Sequence, residues 1–208
     1  MKEIGDGITA RAKVFDAFER ATLPLQAAQH DTADDLDAER RRMLHFVVVG
    51  GGPTGVECAA ELQDLIAEDL VHGGKEGHVL YKNALRTPPK VTLIQSGNSL
   101  LPAYHPNVGK IARATMEGAG IEVLLDHRVT EVSPTAITVS DKRTKEHKQV
   151  RSCKLTVSSA TLILPYYSHT VLLQIPYGVA IWATGVGALP LTKRLVGAIG
   201  APYQSNVR

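Results

Sequence analysis

A glycine-rich turn carries the clearest chemical pattern in the sequence. Its residues are Gly50, Gly51, Gly52, Pro53, Thr54 and Gly55. In the pattern G-x-G-x-x-G, the first glycine permits a tight turn, the second lets the backbone approach a phosphate, and the third lets a helix pack closely on a strand. Free N–H groups and the dipole at the start of the next helix then favour an anion. The spacing therefore predicts a site for the pyrophosphate of a dinucleotide.

The segments on either side of the turn fit this interpretation. The run Phe46–Val49 is apolar and rich in β-branched residues, which predicts a buried strand. Residues at helical spacing follow the turn and predict a helix. The inward positions of that helix are Ala59, Leu62, Gln63, Ile66 and Leu70. An ordinary glycine-rich loop is the alternative for the motif alone, but the strand and the helix favour the dinucleotide site.

The rest of the chain alternates helices and strands. Predicted helices cover 6–22, 31–43 and 106–118, the last with Val108, Ile111, Ala112 and Thr115 facing inward. Predicted strands cover 90–95, 121–125 and 177–183, and a β-hairpin is predicted over 128–132 and 135–140. The order β-α-β-α-β is half of a doubly wound sheet. The predicted fold class is therefore α/β, a Rossmann-type dinucleotide-binding domain with a β-hairpin.

The end of the second predicted strand bears on the choice of cofactor. The acidic residue that usually follows the glycines by about 20 positions is not in place, since Glu68 and Asp69 belong to the helix. The strand ends in Gln95, where dinucleotide folds place the acid that binds the adenosine ribose. A neutral amide does not repel a 2′-phosphate, so Gln95 predicts that NADPH is accepted as well as NADH. The alternative is that Gln95 only caps the strand and that Ser96 contacts the ribose.

Composition and charge narrow the function classes. The 208 residues carry a net charge of +2, so nothing in the charge argues for binding to nucleic acid or to an anionic membrane surface. No apolar run reaches the roughly 18 residues of a membrane span, and the first residues resemble no targeting peptide. The two cysteines, Cys58 and Cys153, are isolated, so they predict neither a redox pair nor a metal site.

Three further segments join the glycine turn in a family resemblance. They are Phe15–Ala21, Ile175–Gly178 and Trp182–Gly187. With them the chain resembles the type II NAD(P)H:quinone oxidoreductases, the non-proton-pumping alternative NADH dehydrogenases, over about residues 1–149 and 175–207. The resemblance implies a flavoprotein with two Rossmann-type domains, one for FAD and one for NADH or NADPH. Such an enzyme passes hydride from the nicotinamide to the flavin and electrons from the flavin to a quinone.

The resemblance also implies roles for individual residues. Residues 50–55 would hold the cofactor pyrophosphate, and Glu57 would lie beside the nicotinamide ribose. Thr184 and Gly185 would approach the nicotinamide or the edge of the flavin. The cofactors carry the chemistry, so no catalytic acid, base or nucleophile is expected from the chain. For Glu57 the alternative is a carboxylate in the first helical turn that only suits the helix dipole.

The domain organisation follows from the same resemblance. Residues 1–43 would be a helical flank of the FAD domain, 44–183 the NAD(P)H-binding domain, and 184–208 the start of the return to the FAD domain. The flavin-binding glycine motif would lie outside the chain, so the 208 residues alone are expected to bind no FAD and to reduce no quinone. Residues 150–174 have no family counterpart. They are interpreted as an insertion or, preferably, a retained intron, because their removal restores a family-like sequence.

The resemblance further implies a mitochondrial enzyme associated peripherally with the inner membrane through a C-terminal region outside this chain, and it allows a homodimer. Two other functions stay open. One is another pyridine-nucleotide flavoprotein reductase, ferredoxin-reductase-like or apoptosis-inducing-factor-like, which the context Pro53-Thr54 and Glu68-Asp69 disfavours. The other is a non-catalytic nucleotide-binding module, supported only by the missing FAD segments.

Overall fold

The computed structural model describes residues 4–23, 33–71, 81, 87–141, 156–157, 160–161, 172–185 and 190–199. The helices are α1 (Ile4–Thr22), α2 (Ala33–Met43), α3 (Pro53–Asp64), α4 (Pro106–Gly118) and α5 (Pro190–Ile199). A π-helical segment, Leu65–Val71, continues α3. The strands are β1 (His45–Val49), β2 (Lys90–Ile94), β3 (Glu122–Leu124), β4 (His127–Val132), β5 (Ala136–Asp141), β6 (Thr156–Val157), β7 (Ala160–Thr161), β8 (Leu172–Pro176) and β9 (Val179–Trp182).

Four parallel strands form the central sheet, in the order β3-β2-β1-β9. Helix α3 connects β1 to β2, and α4 connects β2 to β3, as a parallel sheet requires. All five residues of β1 are buried, because this central strand is covered on both faces. The predicted β-α-β-α-β order and the α/β fold class are confirmed.

Side chains of β1 alternate between two layers of the core. Phe46 and Val48 pack with the buried residues of α1 and α3 on one face, and Val47 and Val49 pack on the other face. The Phe46 ring stacks on Phe18 of α1 with 5.7 Å between ring centroids. The buried face of α1 therefore lies on the same core as β1. The assignment of residues 1–43 to a flank of the FAD domain stays a prediction.

The bounds of α4, 106–118, agree with the prediction, but of its four predicted inward positions only Ala112 packs against the core. Val108, Ile111 and Thr115 are exposed, with Ile111 at 67%. The buried positions of the helix are Gly109 and Met116. The helix rotates this way because Gly109 has no side chain and its backbone lies against the carbonyl of Leu100, where a Cβ would overlap the oxygen.

A second sheet of three antiparallel strands, in the order β4-β5-β8, contributes to the other face of the core. Strands β4 and β5 form the predicted hairpin, which is confirmed. Leu172–Gln174, at the end of the predicted insertion, are part of β8 and pair with Thr138–Ser140. The assignment of 150–174 to an insertion or a retained intron stays a prediction. Most of 150–174, including Cys153, lies outside the described residues; within it β6 and β7 pair only with each other among the described strands.

Candidate functional site

The glycine turn lies at the carboxyl end of β1. Gly50 follows the last residue of that strand, and α3 begins at Pro53. The chain passes from β1 to β2 and β3 on one side, and later returns to add β9 on the other side of β1, so the strand order reverses at β1. Such a switch point outside the carboxyl ends of parallel strands is where open α/β sheets bind their ligands.

Two glycines allow the turn to fold back on itself. Gly50 has a φ of +120°, a conformation that L side chains rarely adopt. A Cβ on Gly55 would overlap the carbonyl oxygen of Gly50. The start of α3 can therefore lie against the end of β1 only because neither residue has a side chain.

The backbone N–H groups of the turn divide into two sets. Gly50 donates to the carbonyl of Ile94 at 2.8 Å, and Gly51 donates to Gln95 Oε1 at 3.0 Å. By contrast, the N–H groups of Gly52, Thr54 and Gly55 meet no acceptor among the described residues. Gly52 is the N-cap of α3, and no side chain caps the helix. These three donors can therefore hold an anion at the positive end of the helix dipole.

Space for a ligand is present at the second glycine of the motif. A Cβ on Gly52 would meet no atom within 4 Å, whereas a Cβ on Gly51 would lie 2.8 Å from Leu100 Cδ2. Gly51 therefore packs inward and Gly52 faces open space. This fits the predicted role of the second glycine, which is to let the backbone approach a pyrophosphate.

Gln95 follows β2 and uses its side-chain amide within the protein. Its Oε1 accepts from Gly51, and its Nε2 donates to the carbonyl of Ser99 at 3.3 Å. The amide has a second N–H, which meets no acceptor among the residues that the structure describes. The structure thus gives Gln95 a positioning role on the glycine turn in addition to its place at the strand end.

A loop after β2 supports the turn and was missed by sequence reasoning. Leu101 donates its N–H to the carbonyl of Gly51 at 2.8 Å, and Leu100 is 1% exposed. Leu101 has a φ of +50°, which is uncommon for a residue with a side chain. No sequence pattern predicts a leucine in this conformation.

The remaining predicted site residues lie around the turn. Ala183 donates its N–H to Val49 at 2.8 Å, which brings Thr184 beside Gly50. Thr184 and Gly185 are exposed, and Gly185 has a φ of +67°. Glu57 is also exposed, but the first turn of α3 contains no acid. The alternative interpretation of Glu57 as a carboxylate of that first turn is therefore wrong.

Cys58 lies one residue beyond Glu57 on α3 and is half-buried beside the core. Burial raises the pKa of the Cys58 thiol, which disfavours the reactive thiolate. In the part of the chain that the structure describes, no group of three His, Cys, Asp or Glu residues could hold a metal ion. The described helices also include none that is long and apolar enough to cross a membrane.

A buried polar chain lies at the opposite, amino end of the sheet. His45 Nε2 is 2.8 Å from Thr92 Oγ1, and the Thr92 hydroxyl donates to Glu122 Oε2 at 2.8 Å. Lys90 Nζ lies 3.1 Å from the same carboxylate oxygen. Burial, and then the charge of Lys90, lower the pKa of His45 against the opposing effects of the Pro176 backbone and Glu122.

The lowered pKa of His45 predicts a pH dependence of stability. The folded state binds a proton at His45 less readily than the unfolded state, whose histidine titrates near about pH 6.5. The His45 contribution should be complete above about pH 6.5 and should decrease as the pH falls below that value. Urea unfolding of the wild type and of His45→Gln between pH 7.5 and 5.5 tests this. An equal decrease in both proteins would contradict it.

The chain is similar in sequence to a protein family and to several mitochondrial enzymes. The sequence profile of the family described as pyridine nucleotide-disulphide oxidoreductase matches residues 10–202. The external alternative NAD(P)H-ubiquinone oxidoreductase B1, mitochondrial, of Solanum tuberosum is 34% identical over 200 residues, which are 96% of this chain and 27% of the relative. A probable mitochondrial NADH-ubiquinone oxidoreductase of Schizosaccharomyces pombe is 31% identical over 209 residues, covering 100% of this chain and 30% of the relative.

A solved structure agrees with the sequence matches. NDH2 from Plasmodium falciparum in complex with NADH has a TM-score of 0.63 and 27% identity, and the match covers 88% of this chain and 29% of that one. The chain therefore spans less than a third of the length of each of these three proteins. The predicted resemblance to the NAD(P)H:quinone oxidoreductases is confirmed by the names of these relatives.

Proposed function

Because the chain belongs to the pyridine nucleotide-disulphide oxidoreductase family, we propose that it forms the NAD(P)H-binding part of a type II NAD(P)H:quinone oxidoreductase. The observation that carries this proposal is the glycine turn at the switch point of the sheet. There, the N–H groups of Gly52, Thr54 and Gly55 meet no acceptor among the described residues, and Gly52 faces open space. The relatives, whose names specify NAD(P)H and ubiquinone, support the choice of cofactor and acceptor.

The residues of the turn hold the pyrophosphate in this proposal. The donors at 52, 54 and 55 bind its oxygens, and Gln95 keeps the turn in place from the adjoining strand. Pro53 starts α3 without a lost hydrogen bond, because the first helical N–H has no partner in any helix. Thr184 and Gly185, beside Gly50, border the path towards the nicotinamide, and the exposed Glu57 contacts its ribose.

The overall reaction transfers two electrons from NAD(P)H to a quinone. It requires no catalytic side chain from this chain. When bound, FAD would take a hydride from the nicotinamide of NAD(P)H and pass the two electrons to a quinone, which takes up two protons, one of them from solvent. The cofactors carry these steps, and the chain binds and orients the nicotinamide nucleotide. FAD is held mainly by segments beyond this chain. The names of the relatives support a mitochondrial location, and we extend this to peripheral attachment to the inner membrane and to a homodimer.

Nucleotide binding by the 208-residue chain tests the proposal directly. Titration calorimetry should give a saturable heat with NADH at one site per chain, and ADP-ribose should compete because it carries the same pyrophosphate. AMP, which has no pyrophosphate, serves as the matched control and should bind more weakly. Failure of NADH to bind a folded chain would refute the proposal. In a protein as long as the relatives, NADH oxidation coupled to quinone reduction separates the enzyme from a non-catalytic module.

The proposed domain boundaries lead to a prediction for 150–174. We expect that joining Gln149 to Ile175 leaves the free energy of unfolding unchanged or higher. The removed part of β8 buries little, since Leu172 is 58% and Leu173 46% exposed, and buried Ile175 remains. Residues 147–149 can supply the backbone of the strand, and their last residue is again a glutamine.

Urea unfolding of the shortened and complete chains measures this difference. Ile175→Ala in the complete chain is the control, because it removes a buried side chain and should cost about 2–5 kcal/mol. A loss on deletion as large as that of the control would show that 150–174 belongs to the folded domain. Sequencing of transcripts that always retain the segment would count against the interpretation as an intron.

The position of Gln95 leads to a prediction for cofactor choice. The wild type should bind NADH and NADPH with similar affinity, whereas Gln95→Glu should bind NADPH at least about a hundredfold more weakly. At about 5 Å and an effective dielectric constant of about 20, a carboxylate repels each charge of the 2′-phosphate by roughly 3 kcal/mol. The variant still offers an oxygen to the Gly51 N–H, but it cannot donate to Ser99.

Fluorescence titration with both nucleotides measures the two affinities. Gln174→Glu makes the same charge change at an exposed position of β8 and should leave both affinities unaltered. Thermal unfolding of Gln95→Glu shows whether the fold is damaged. The NADH affinity separates a damaged turn from a change of specificity, because a damaged turn would weaken NADH binding as well. If Gln95→Glu binds NADPH as the wild type does, Gln95 does not set the cofactor choice.

A further inference from the structure

A cavity of about 580 Å³ opens at the amino end of the parallel sheet. His45, the first residue of β1, and Lys90, the first residue of β2, both line it. The glycine turn lies at the other end of β1, so this cavity is separate from the proposed nucleotide site. Its volume falls within the range of small-molecule sites, about 300–1,000 Å³.

Three prolines and an alanine form the apolar wall of the cavity. Pro88 and Pro89 precede β2, Pro176 ends β8, and Ala38 of α2 completes this wall. Proline has a fixed φ and no N–H donor, so these residues present apolar surface without a backbone donor that needs a partner. A preformed wall lowers the ordering cost of binding.

The charged lining of the cavity is basic, with no acidic side chain among the lining residues that the structure describes. Arg42 is already engaged, since its Nε lies 2.7 Å from Glu39 and its Nη1 donates to the Tyr177 carbonyl. Lys90 pairs with Glu122. Arg41 is exposed and makes no ion pair with the residues that the structure describes.

We propose that this cavity binds a small organic anion, whose carboxylate pairs with Arg41 and whose apolar body lies against the three prolines. The guanidinium is a planar fork that matches a carboxylate with two parallel hydrogen bonds. The apolar wall selects against fully polar anions, which would gain only the charge interaction at an exposed arginine. The proposal is independent of the nucleotide site.

Titration calorimetry of the 208-residue chain with octanoate tests the proposal. Octanoate should bind at one site per chain, and 1-octanol, which has a similar apolar body without the charge, should bind at least about tenfold more weakly. Saturating NADH should leave the octanoate affinity unchanged, because the two sites lie at opposite ends of the sheet. Absence of octanoate binding up to about 10 mM, an affinity weaker than that of most functional ligands, would overturn the proposal.

Two variants locate the site. Arg41→Gln should weaken octanoate at least about tenfold and leave 1-octanol unaltered. Ala38→Phe fills the cavity without changing charge and should weaken both ligands. Arg113→Gln is the matched control, because Arg113 is an exposed arginine of α4 outside the cavity lining. Wild-type octanoate affinity in Arg41→Gln or in Ala38→Phe, with thermal unfolding unchanged, would refute the assignment to this cavity.

Discussion

Replacing Gly55 by valine is expected to abolish NADH binding and to lower the free energy of unfolding by about 3 kcal/mol or more. A Cβ at this position overlaps the carbonyl oxygen of Gly50. Both groups belong to backbone, so no flexible side chain can move aside. The start of α3 must then shift away from β1, which opens the packing of Ala59 and Leu62, now 0% and 7% exposed.

Urea unfolding and NADH titration of Gly55→Val measure the two effects. Gly118→Val is the matched control, since Gly118 is also helical and a Cβ there meets no atom within 4 Å. The control should change stability by less than about 1 kcal/mol, because valine in a helix is no worse than glycine. Equal stability of Gly55→Val and Gly118→Val would contradict the close packing of α3 on β1 that leaves no room for a side chain at position 55.

The parts of the fold that sequence predicts well are those set by local pattern. The strand before the glycines, the turn and α3 follow one another within 20 residues, and each has its own residue preference. Gly55 in particular was predictable, because the motif states which residue must lack a side chain. The parallel order then follows from the alternation of strands and helices.

The prediction of the inward face of α4 fails because burial there depends on backbone that is distant from the helix in sequence. Val108 and Ile111 are β-branched apolar residues of α4, yet they are exposed because Gly109 lies against the carbonyl of Leu100. Helical spacing alone cannot show that a glycine occupies the closest approach. The pairing of Leu172–Gln174 with β5 joins residues more than 30 positions apart, so helical or strand spacing does not predict it either.

The candidate site shows the same division between local and distant causes. The position of Gln95 at the end of β2 was predicted, since it depends only on where the strand stops. Its bond to the Gly51 N–H, 44 positions away, was not, and neither was the support from Leu101. These contacts give the amide a positioning role that a pattern for ribose binding does not contain.

Replacing Gly52 by valine should separate binding from folding, in contrast to Gly55→Val. Gly52 has a φ of −78° and a ψ of −179°, an extended conformation that suits a β-branched residue. A Cβ there meets no atom within 4 Å. Valine is a poorer N-cap than glycine, so we expect a loss of stability of about 1 kcal/mol or less.

The loss of NADH affinity in Gly52→Val should reach about a hundredfold, which corresponds to roughly 3 kcal/mol. The branched side chain would fill the open space beside Gly52 at the start of α3, so the pyrophosphate could not approach the first N–H groups of the helix. Calorimetric titration with NADH, together with urea unfolding of the same samples, measures both quantities. Gly118→Val should keep wild-type affinity. If Gly52→Val binds NADH as tightly as the wild type, the pyrophosphate does not lie on this turn, because a pyrophosphate there leaves no room for a valine side chain at position 52.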